Sequence, residues 1–424
     1  MKLIINPVKS LVGTLRPPSD KSLTHRAYMF ASFATTESIV RNPLRGEDCE
    51  NTLRAMIHLG LRHEMLGPEE FRLIPTQEWM QPNAPIDCGN SGTTMRLLAG
   101  LVASRPLNVT FVGDASLSKR PMGRVATPLR LMGAEIEGDR APLTIHGKEL
   151  QGIDYVSPVA SAQVKSCTLL AGLRAKGTTS VSEPSLSRDH TERMLKAMGF
   201  RLDSEGLKVS VEGGQEGHGF EFNVPGDISS AAFFIVATAI LQNSRLEVDE
   251  LSVNPTRTGI LDVLTQCQIP FFVTDVREEL GEPVASLVVH TANLLQPFTI
   301  EGELVPRLID EIPVLAVLAT QCEGTSIIRN ANELRVKESD RIELVANGLR
   351  QMGAQVETFE DGMAITGPAK LSATKIDAHG DHRIAMAFAI AGLIAEGTTE
   401  ITGADSIATS FPGFESELAR LCVA

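Results

Sequence analysis

Residues suited to gripping an anionic substrate recur along this chain in short polar segments, each leading into an apolar stretch. The first is Pro18-Ser19-Asp20-Lys21-Ser22-Leu23-Thr24-His25-Arg26, in which Ser22 and Arg26, four residues apart, share a face if a helix starts here. The second, Asp87-Cys88-Gly89-Asn90-Ser91-Gly92-Thr93-Thr94-Met95-Arg96, is a turn of small residues whose backbone can come close to a ligand. It misses the GxSxG nucleophile elbow, because Thr93 stands where the last glycine belongs. Downstream, Ser118-Lys119-Arg120-Pro121-Met122-Gly123-Arg124 packs three cations into one loop able to close over an anion. Ser161-Ala162-Gln163-Val164-Lys165-Ser166 offers hydroxyl and amide groups for phosphate oxygens or substrate hydroxyls, and Ser187-Arg188-Asp189-His190 follows it.

Further on, carboxylates join the cations. Leu308-Ile309-Asp310-Glu311-Ile312-Pro313 is acidic, and Glu333-Leu334-Arg335-Val336-Lys337-Glu338-Ser339-Asp340-Arg341 sets Glu338 between Lys337 and Arg341. Carboxylates and a lysine are the groups that proton transfer needs, where the cations only bind. His379-Gly380-Asp381-His382-Arg383 places two histidines around an aspartate, but third and fourth ligands are not apparent, so no metal is predicted. Each segment also has a plain reading. Asp20, Ser161 and Asp310 serve as helix caps, residues 89–93 as a tight turn, the Arg120 loop as solvated surface, and 333–341 as an ordinary exposed helix.

The elements that position these residues repeat. A polar helix start, an Ala-rich helix, a glycine or small-residue turn and a β-branched strand begin near Lys21, Gly92, Ala162, Ser229, Asp310 and Asp381, at spacings of 71, 70, 67, 81 and 71 residues. Residues 163–181 and 381–401 show it most clearly, as helix, glycine stop and strand. A second, amphipathic helix follows each strand, and three of these end alike, at Met132-Gly133-Ala134, Met198-Gly199-Phe200 and Met352-Gly353-Ala354. A helix start carries unpaired N–H groups and the positive end of the macrodipole, so the repeat lines up anion sites. Six units of about 70 residues exceed solenoid repeats and imply two halves of three, with a crossing near Asn223-Val224-Pro225-Gly226-Asp227. A cleft between halves is a usual place for a ligand.

Bulk properties limit the function. The length of 424 residues and the 43% hydrophobic content predict more than one domain with a sizeable core. A net charge of −13 and an aromatic content of only 4% argue against nucleic-acid binding. The six cysteines are scattered without CxxC spacing, which suits a reducing cytoplasm. The N-terminus meets charge and proline too early for a signal peptide, and no 18-residue apolar run predicts a membrane helix.

Taken in order, Pro18-Ser19-Asp20-Lys21-Ser22, Gly89-Asn90-Ser91-Gly92-Thr93, Lys119-Arg120-Pro121-Met122-Gly123, Ser161-Ala162-Gln163, Arg335-Val336-Lys337-Glu338-Ser339-Asp340-Arg341 and Asp381-His382-Arg383 resemble the 5-enolpyruvylshikimate-3-phosphate (EPSP) synthases over essentially the whole chain. Segments 161–166, Arg188-Asp189-His190-Thr191-Glu192 and Asn254-Pro255-Thr256-Arg257-Thr258-Gly259 look like the divergent bacterial branch that includes glyphosate-tolerant members. Tolerant members place alanine where Gly92 stands, so inhibition by glyphosate is expected here.

The resemblance implies an α/β (α+β) fold: a two-domain inside-out α/β barrel of six βαβαββ-like units, helices inside and sheets outside, closing on the substrates. Its domains would be 16–225, and 1–15 with 226–424. It implies transfer of the enolpyruvyl group of phosphoenolpyruvate to shikimate 3-phosphate, without a cofactor, by a cytoplasmic monomer. Phosphoenolpyruvate would be gripped by Lys21, Arg120, Gln163, Arg341 and Arg383, with Gly92 giving close backbone approach. Shikimate 3-phosphate would meet Lys21, Ser22, Arg26, Ser161, Ala162, Gln163, Arg188, Asp310 and Lys337. Asp310, Glu338 and Lys21 are the proton-transfer candidates, and Asp48, Asn90 and His382 support them. Guanidinium groups match the carboxylate and phosphate of phosphoenolpyruvate.

One departure stands out. Many relatives carry a lysine just before the Thr-Phe-Pro near the C-terminus, whereas this chain reads Ala408-Thr409-Ser410-Phe411-Pro412, as the divergent branch does. The related UDP-N-acetylglucosamine enolpyruvyl transferase has Lys-Asn at its helix start and a loop cysteine near Arg120, neither of which occurs here. A non-catalytic anion binder on the same fold would not require Asp310 and Glu338.

Overall fold

Three helices are buried along most of their length, because almost nothing on their surfaces suits water. Gly92–Ala103 is buried from Leu97 to its end, and Ile228–Ile240 and His382–Gly392 are buried along nearly their full length. A helix that is apolar all round belongs inside a core. The computed structural model describes residues 2–76 and 78–423. Its chain divides into one compact unit of residues 1–18, 225–277 and 283–424 and another of 19–224 and 278–282. Each unit has its own hydrophobic core.

The unit containing residues 19–224 is built from three four-stranded sheets around the helices Lys21–Ala31, Gly92–Ala103 and Ala162–Gly172. The middle repeat shows the pattern: strand Ile86–Asp87, inner helix, strand Asn108–Val112, outer helix Gly123–Leu131, then strands Glu135–Glu137 and Leu143–His146. The first two strands pair in parallel through the inner helix, and the last two are antiparallel. The third repeat has the same order, and the first borrows its opening strand from Glu221–Asn223, which pairs in parallel with Ser38–Arg41.

The other unit repeats the plan with two strands supplied by the N-terminus. Lys2–Ile5 pairs antiparallel with Thr399–Thr402, completing the sheet of the last repeat, and Ser10–Leu15 lies parallel to Arg245–Val248 of the fourth. Alternation explains the placement: Leu3, Ile5, Leu11 and Leu15 are buried while their neighbours along the strands face outward.

Glycine decides two features of this packing. Gly133, Gly199 and Gly353 end the outer helices at φ of +102°, +97° and +95°, a conformation that L side chains resist, which is why three outer helices finish alike. At Gly100 a Cβ would come 2.1 Å from the Cys167 carbonyl oxygen, so the inner helices Gly92–Ala103 and Ala162–Gly172 touch backbone to backbone.

Two plain local readings do not hold. Residues 333–341 are not one exposed helix: a short 3-10 turn at Asn332–Val336 is followed by a break, and a new helix, Arg341–Gln351, starts with Arg341 buried. Asp340 forces that restart by capping, its side chain accepting from Glu343 N at 3.1 Å. Asp310 is not a cap either, because Glu311 occupies the N-cap position of Ile312–Ala319. All six cysteines are unbonded to one another, and among the described residues no helix is long and apolar enough to cross a membrane.

Candidate active site

In the unit of residues 19–224, the three inner helices start at Lys21, Gly92 and Ala162, and each is capped by its preceding residue. Asp20 accepts from Leu23 N at 2.9 Å, Ser91 from Thr94 N at 3.2 Å and Ser161 from Val164 N at 3.4 Å. The capping readings of Asp20 and Ser161 are therefore right, and they are compatible with the chemical reading of the residues that follow.

Lys21 stands in the first turn with its Nζ 3.1 Å from Asp48 Oδ2, a partner supplied by the start of the outer helix Glu47–His58. One turn deeper, buried Arg26 donates to Thr191 Oγ1 at 2.9 Å, Ser166 Oγ at 3.0 Å and the Ser22 carbonyl at 3.0 Å, all neutral oxygens. Burial pushes its pKa down to about 10, with the nearby Arg188 acting in the same direction against Glu192. Arg26 is still a cation at neutral pH, and two such cations near hydroxyl groups invite an anion.

Gly92 lies beside a second cationic group. A Cβ there would be 3.3 Å from Arg96 Nη1 and 3.5 Å from Arg120 Nη1, so two guanidinium groups flank the bare backbone. Arg120 Nη2 donates to Asn90 Oδ1 at 2.6 Å, and Asn90 donates in turn to Asp114 Oδ2 at 2.7 Å. Gln163 joins the neighbouring helix start to this group, accepting from Arg96 and donating to Thr93 Oγ1 at 2.9 Å. Behind it, His25 Nδ1, Thr52, Thr94 and Ser91 form a buried chain with O···O and N···O distances of 2.6 to 2.7 Å. Burial drives His25 down to about 3, so it is neutral at physiological pH.

Ser161 and Ala162 begin the third inner helix, and Ser161 N donates to Glu183 Oε1 at 2.9 Å. Glu183 and Glu192 hold Lys165 at 2.9 and 2.8 Å in the interior. Lys165 is therefore structural, although its sequence neighbours are site candidates.

The other unit gathers carboxylates. Arg341, only 1% exposed, donates from Nε to Asp381 Oδ2 at 2.8 Å, from Nη2 to Asp381 Oδ1 at 3.2 Å and from Nη2 to Glu338 Oε2 at 2.7 Å. Burial opposes the charge, but Asp381 and Glu338 outweigh it and raise its pKa. Asp310 Oδ1 lies 3.4 Å from Arg341 Nη1, 3.6 Å from Lys337 Nζ and 3.9 Å from Arg383 Nε. Arg383 also donates from Nη1 to the Asp310 carbonyl at 3.2 Å. Asp381 caps the helix His382–Gly392 by accepting from Arg383 N at 3.0 Å, so His382 sits in its first turn. The predicted residues Asp310, Lys337, Glu338, Arg341 and Arg383 thus form one group. Among the described residues no cluster of three or more His, Cys, Asp or Glu is placed to hold a metal.

The profile of the EPSP synthase (3-phosphoshikimate 1-carboxyvinyltransferase) family matches residues 5–418. The 3-phosphoshikimate 1-carboxyvinyltransferase of Brevibacillus brevis is 48% identical over 426 aligned residues, covering 99% of both chains. The chain belongs to the EPSP synthase family. The enzyme of the same name from Bacillus thuringiensis is 47% identical over 99% of each chain. The solved EPSP synthase from Acinetobacter baumannii superposes with a TM-score of 0.90 at 42% identity, over 100% of this chain and 98% of that one. The enolpyruvyl transferase NikO from Streptomyces tendae, at 17% identity and a TM-score of 0.80, shares the fold.

Within this EPSP synthase family member, several residues at the two groups carried no sequence signal of their own. Asp381 belongs to the Asp381-His382-Arg383 segment, but nothing local in that segment signals that it is the main counter-ion of Arg341, 40 residues away. Arg96 was hidden in an apolar helix, although its position four residues after Gly92 puts it on the same face. Buried Arg257 joins Asp227 at 3.0 Å and Ser229 at 2.6 Å, next to Glu311, a network assembled from three separate segments. At the departing C-terminal corner, Thr409 Oγ1 donates to the Ser406 carbonyl at 2.7 Å and so closes its own turn.

Proposed function

We propose that both groups of residues act on one pair of anionic substrates, with the cation-rich set holding them and the carboxylate set moving protons. The reaction is that of the family: the enolpyruvyl group of phosphoenolpyruvate passes to the 5-hydroxyl of shikimate 3-phosphate, and inorganic phosphate leaves. In this reading Arg26, Arg188, Ser22, Ser161 and Ala162 take shikimate 3-phosphate. Arg120, Gln163 and the Gly92 backbone take phosphoenolpyruvate together with Arg341 and Arg383, and Lys21 reaches both. Asn90, Asp48 and His382 orient their neighbours.

Addition requires the 5-hydroxyl oxygen to bond to C2 of phosphoenolpyruvate while C3 gains a proton. Elimination then removes a proton from that methyl group as the C2–O bond to phosphate breaks. Asp310 is the base for the hydroxyl, and Lys337 helps orient that hydroxyl. Glu338 and Lys21 exchange the proton with carbon, and the guanidinium groups stabilise charge on the tetrahedral intermediate. The observation that carries this reading is the position of Asp310, whose carboxylate lies within 3.4 to 3.9 Å of three cations. A carboxylate held there can take the proton of a hydroxyl placed beside it, whereas anion binding alone gives no use for a carboxylate among three cations.

Phosphate release from purified protein tests the reading. Release is expected with shikimate 3-phosphate plus phosphoenolpyruvate, and none with UDP-N-acetylglucosamine as acceptor; silence with the first pair would sink it. Glyphosate inhibits in this reading, since Gly92 leaves open the space beside Arg96 and Arg120. The enzyme works as a cytoplasmic monomer, a reading to which the six free thiols lend support on the side of compartment.

A further inference from the structure

The three inner helices of the unit containing residues 19–224 have a second set of ends. Their starts carry Lys21, Gly92 and Ala162, and their C-terminal ends, roughly 16 Å away for an 11-residue helix, open into a cavity of about 1150 Å³. No residue of the catalytic proposal lines it. Its wall is mixed, apolar and aromatic at Phe33, Trp79, Phe200, Leu107 and Leu173 and polar at Thr35, Thr36 and Thr76.

A buried cation faces this cavity. Arg105 is 6% exposed, its guanidinium carbon lies 3.7 Å from the centroid of the Trp79 ring, and one of its nitrogens, Nη1, donates to the Leu101 carbonyl. Its other N–H groups have no protein acceptor among the described residues. Burial, with Arg174 adding to it, pushes Arg105 down to about 9, so it is charged at neutral pH and no carboxylate offsets it. The acids of the lining, Glu37, Glu78 and Glu216, are all exposed at the rim, as is Arg174. A buried planar cation beside an aromatic and apolar patch, with an acidic rim, selects a ligand. Its charged end must be a single, flat anion, because a phosphate dianion would meet the rim carboxylates with twice the repulsion. A carboxylate matches the guanidinium fork at two points.

We infer that this far mouth is a binding site for a small monocarboxylate with an apolar body, its carboxylate on Arg105 and its body against Trp79 and Phe200. The site is separate from the catalytic groups and needs nothing from the other unit.

Trp79 is the only tryptophan in the chain, so its fluorescence reports on the site directly. Full-length protein, with shikimate 3-phosphate present to occupy the catalytic groups, is titrated with 3-phenylpropionate and separately with inorganic phosphate at matched ionic strength. A saturable change with the carboxylate and none with phosphate is expected. Arg105→Lys, which keeps the charge but loses the fork, should weaken binding by about tenfold or more, as loss of a charge-assisted hydrogen bond does. Exposed Arg174→Ala should weaken it by about threefold and folds regardless of how Arg105→Lys behaves. Calorimetry on the same samples checks that the optical change is binding. A non-saturating response, an equal response to phosphate, or an affinity unchanged in the variants that fold overturns the site.

Discussion

Arg341 and Asp381 form a two-point ion pair, Nε to Oδ2 at 2.8 Å and Nη2 to Oδ1 at 3.2 Å, with the Asp381 side chain fully buried and the Arg341 side chain nearly so. The pair ties the start of one helix to the start of another, and Ser339 Oγ adds a bond to the same carboxylate at 2.8 Å. Burial alone would raise the Asp381 pKa, but the Arg341 guanidinium wins and holds it below the ordinary carboxylate value.

This sets a direction for acid stability. A carboxylate with a depressed folded pKa stabilises fully above its unfolded value, 3.8 for aspartate, and loses that contribution as pH falls through the folded value. Asp381→Asn should therefore flatten the acid limb of the stability profile below about pH 5. It should also cost about 3–5 kcal/mol at pH 7, because Arg341 is left buried without its main partner. Urea midpoints across that pH range check both; an acid limb as steep as that of the wild type would contradict the first.

Gly92→Ala should weaken glyphosate inhibition by roughly tenfold or more, with a smaller rise in KM for phosphoenolpyruvate. The added methyl would sit 3.3 Å from Arg96 Nη1, close enough to displace a guanidinium or an inhibitor beside it, a cost of about 1–3 kcal/mol. Inhibition constants for the two proteins decide it, and an unchanged constant refutes the placement of the inhibitor.

Asp310→Asn and Glu338→Gln should each lower kcat by roughly 100- to 10,000-fold while leaving the KM values within a few-fold, because a proton-transfer group acts in the transition state. Steady-state phosphate release at saturating substrates is the measurement. A large rise in KM with kcat preserved would assign these carboxylates to binding instead.

Arg26→Lys should raise KM for shikimate 3-phosphate by about tenfold or more with little effect on KM for phosphoenolpyruvate. Arg26 spends three donors on Thr191, Ser166 and Ser22, and an ammonium cannot hold those partners and face an anion together. Equal changes in both KM values would place Arg26 elsewhere in the reaction.

Lys165→Ala should destabilise the protein by about 3–5 kcal/mol, since it leaves Glu183 and Glu192 buried without their shared cation. Denaturant unfolding reads the loss. A change below about 1 kcal/mol would mean that the two carboxylates take up protons or water at little cost.

The sixfold repeat, its inner and outer helices and the polar helix starts follow from the chain itself, since apolar periodicity and glycine stops are local features. Lys21, Gly92, Gln163, Asp310, Arg341 and Arg383 were legible because each belongs to a recognisable polar segment. Only the tertiary structure decided which of these residues neutralise one another. Arg341 is an exposed helix residue by local charge count, and it is buried with its charge met by Asp381 and Asp310 from two distant segments and by Glu338 from its own. Arg96 and Lys165 look alike in sequence, each a lone cation in an apolar helix. Lys165 meets two buried carboxylates, whereas Arg96 flanks Gly92 and donates to Gln163. The same holds for Arg105, whose place over Trp79 joins residues from two repeats. Side-chain partners distant along the chain are a property of packing, and local periodicity carries no record of them.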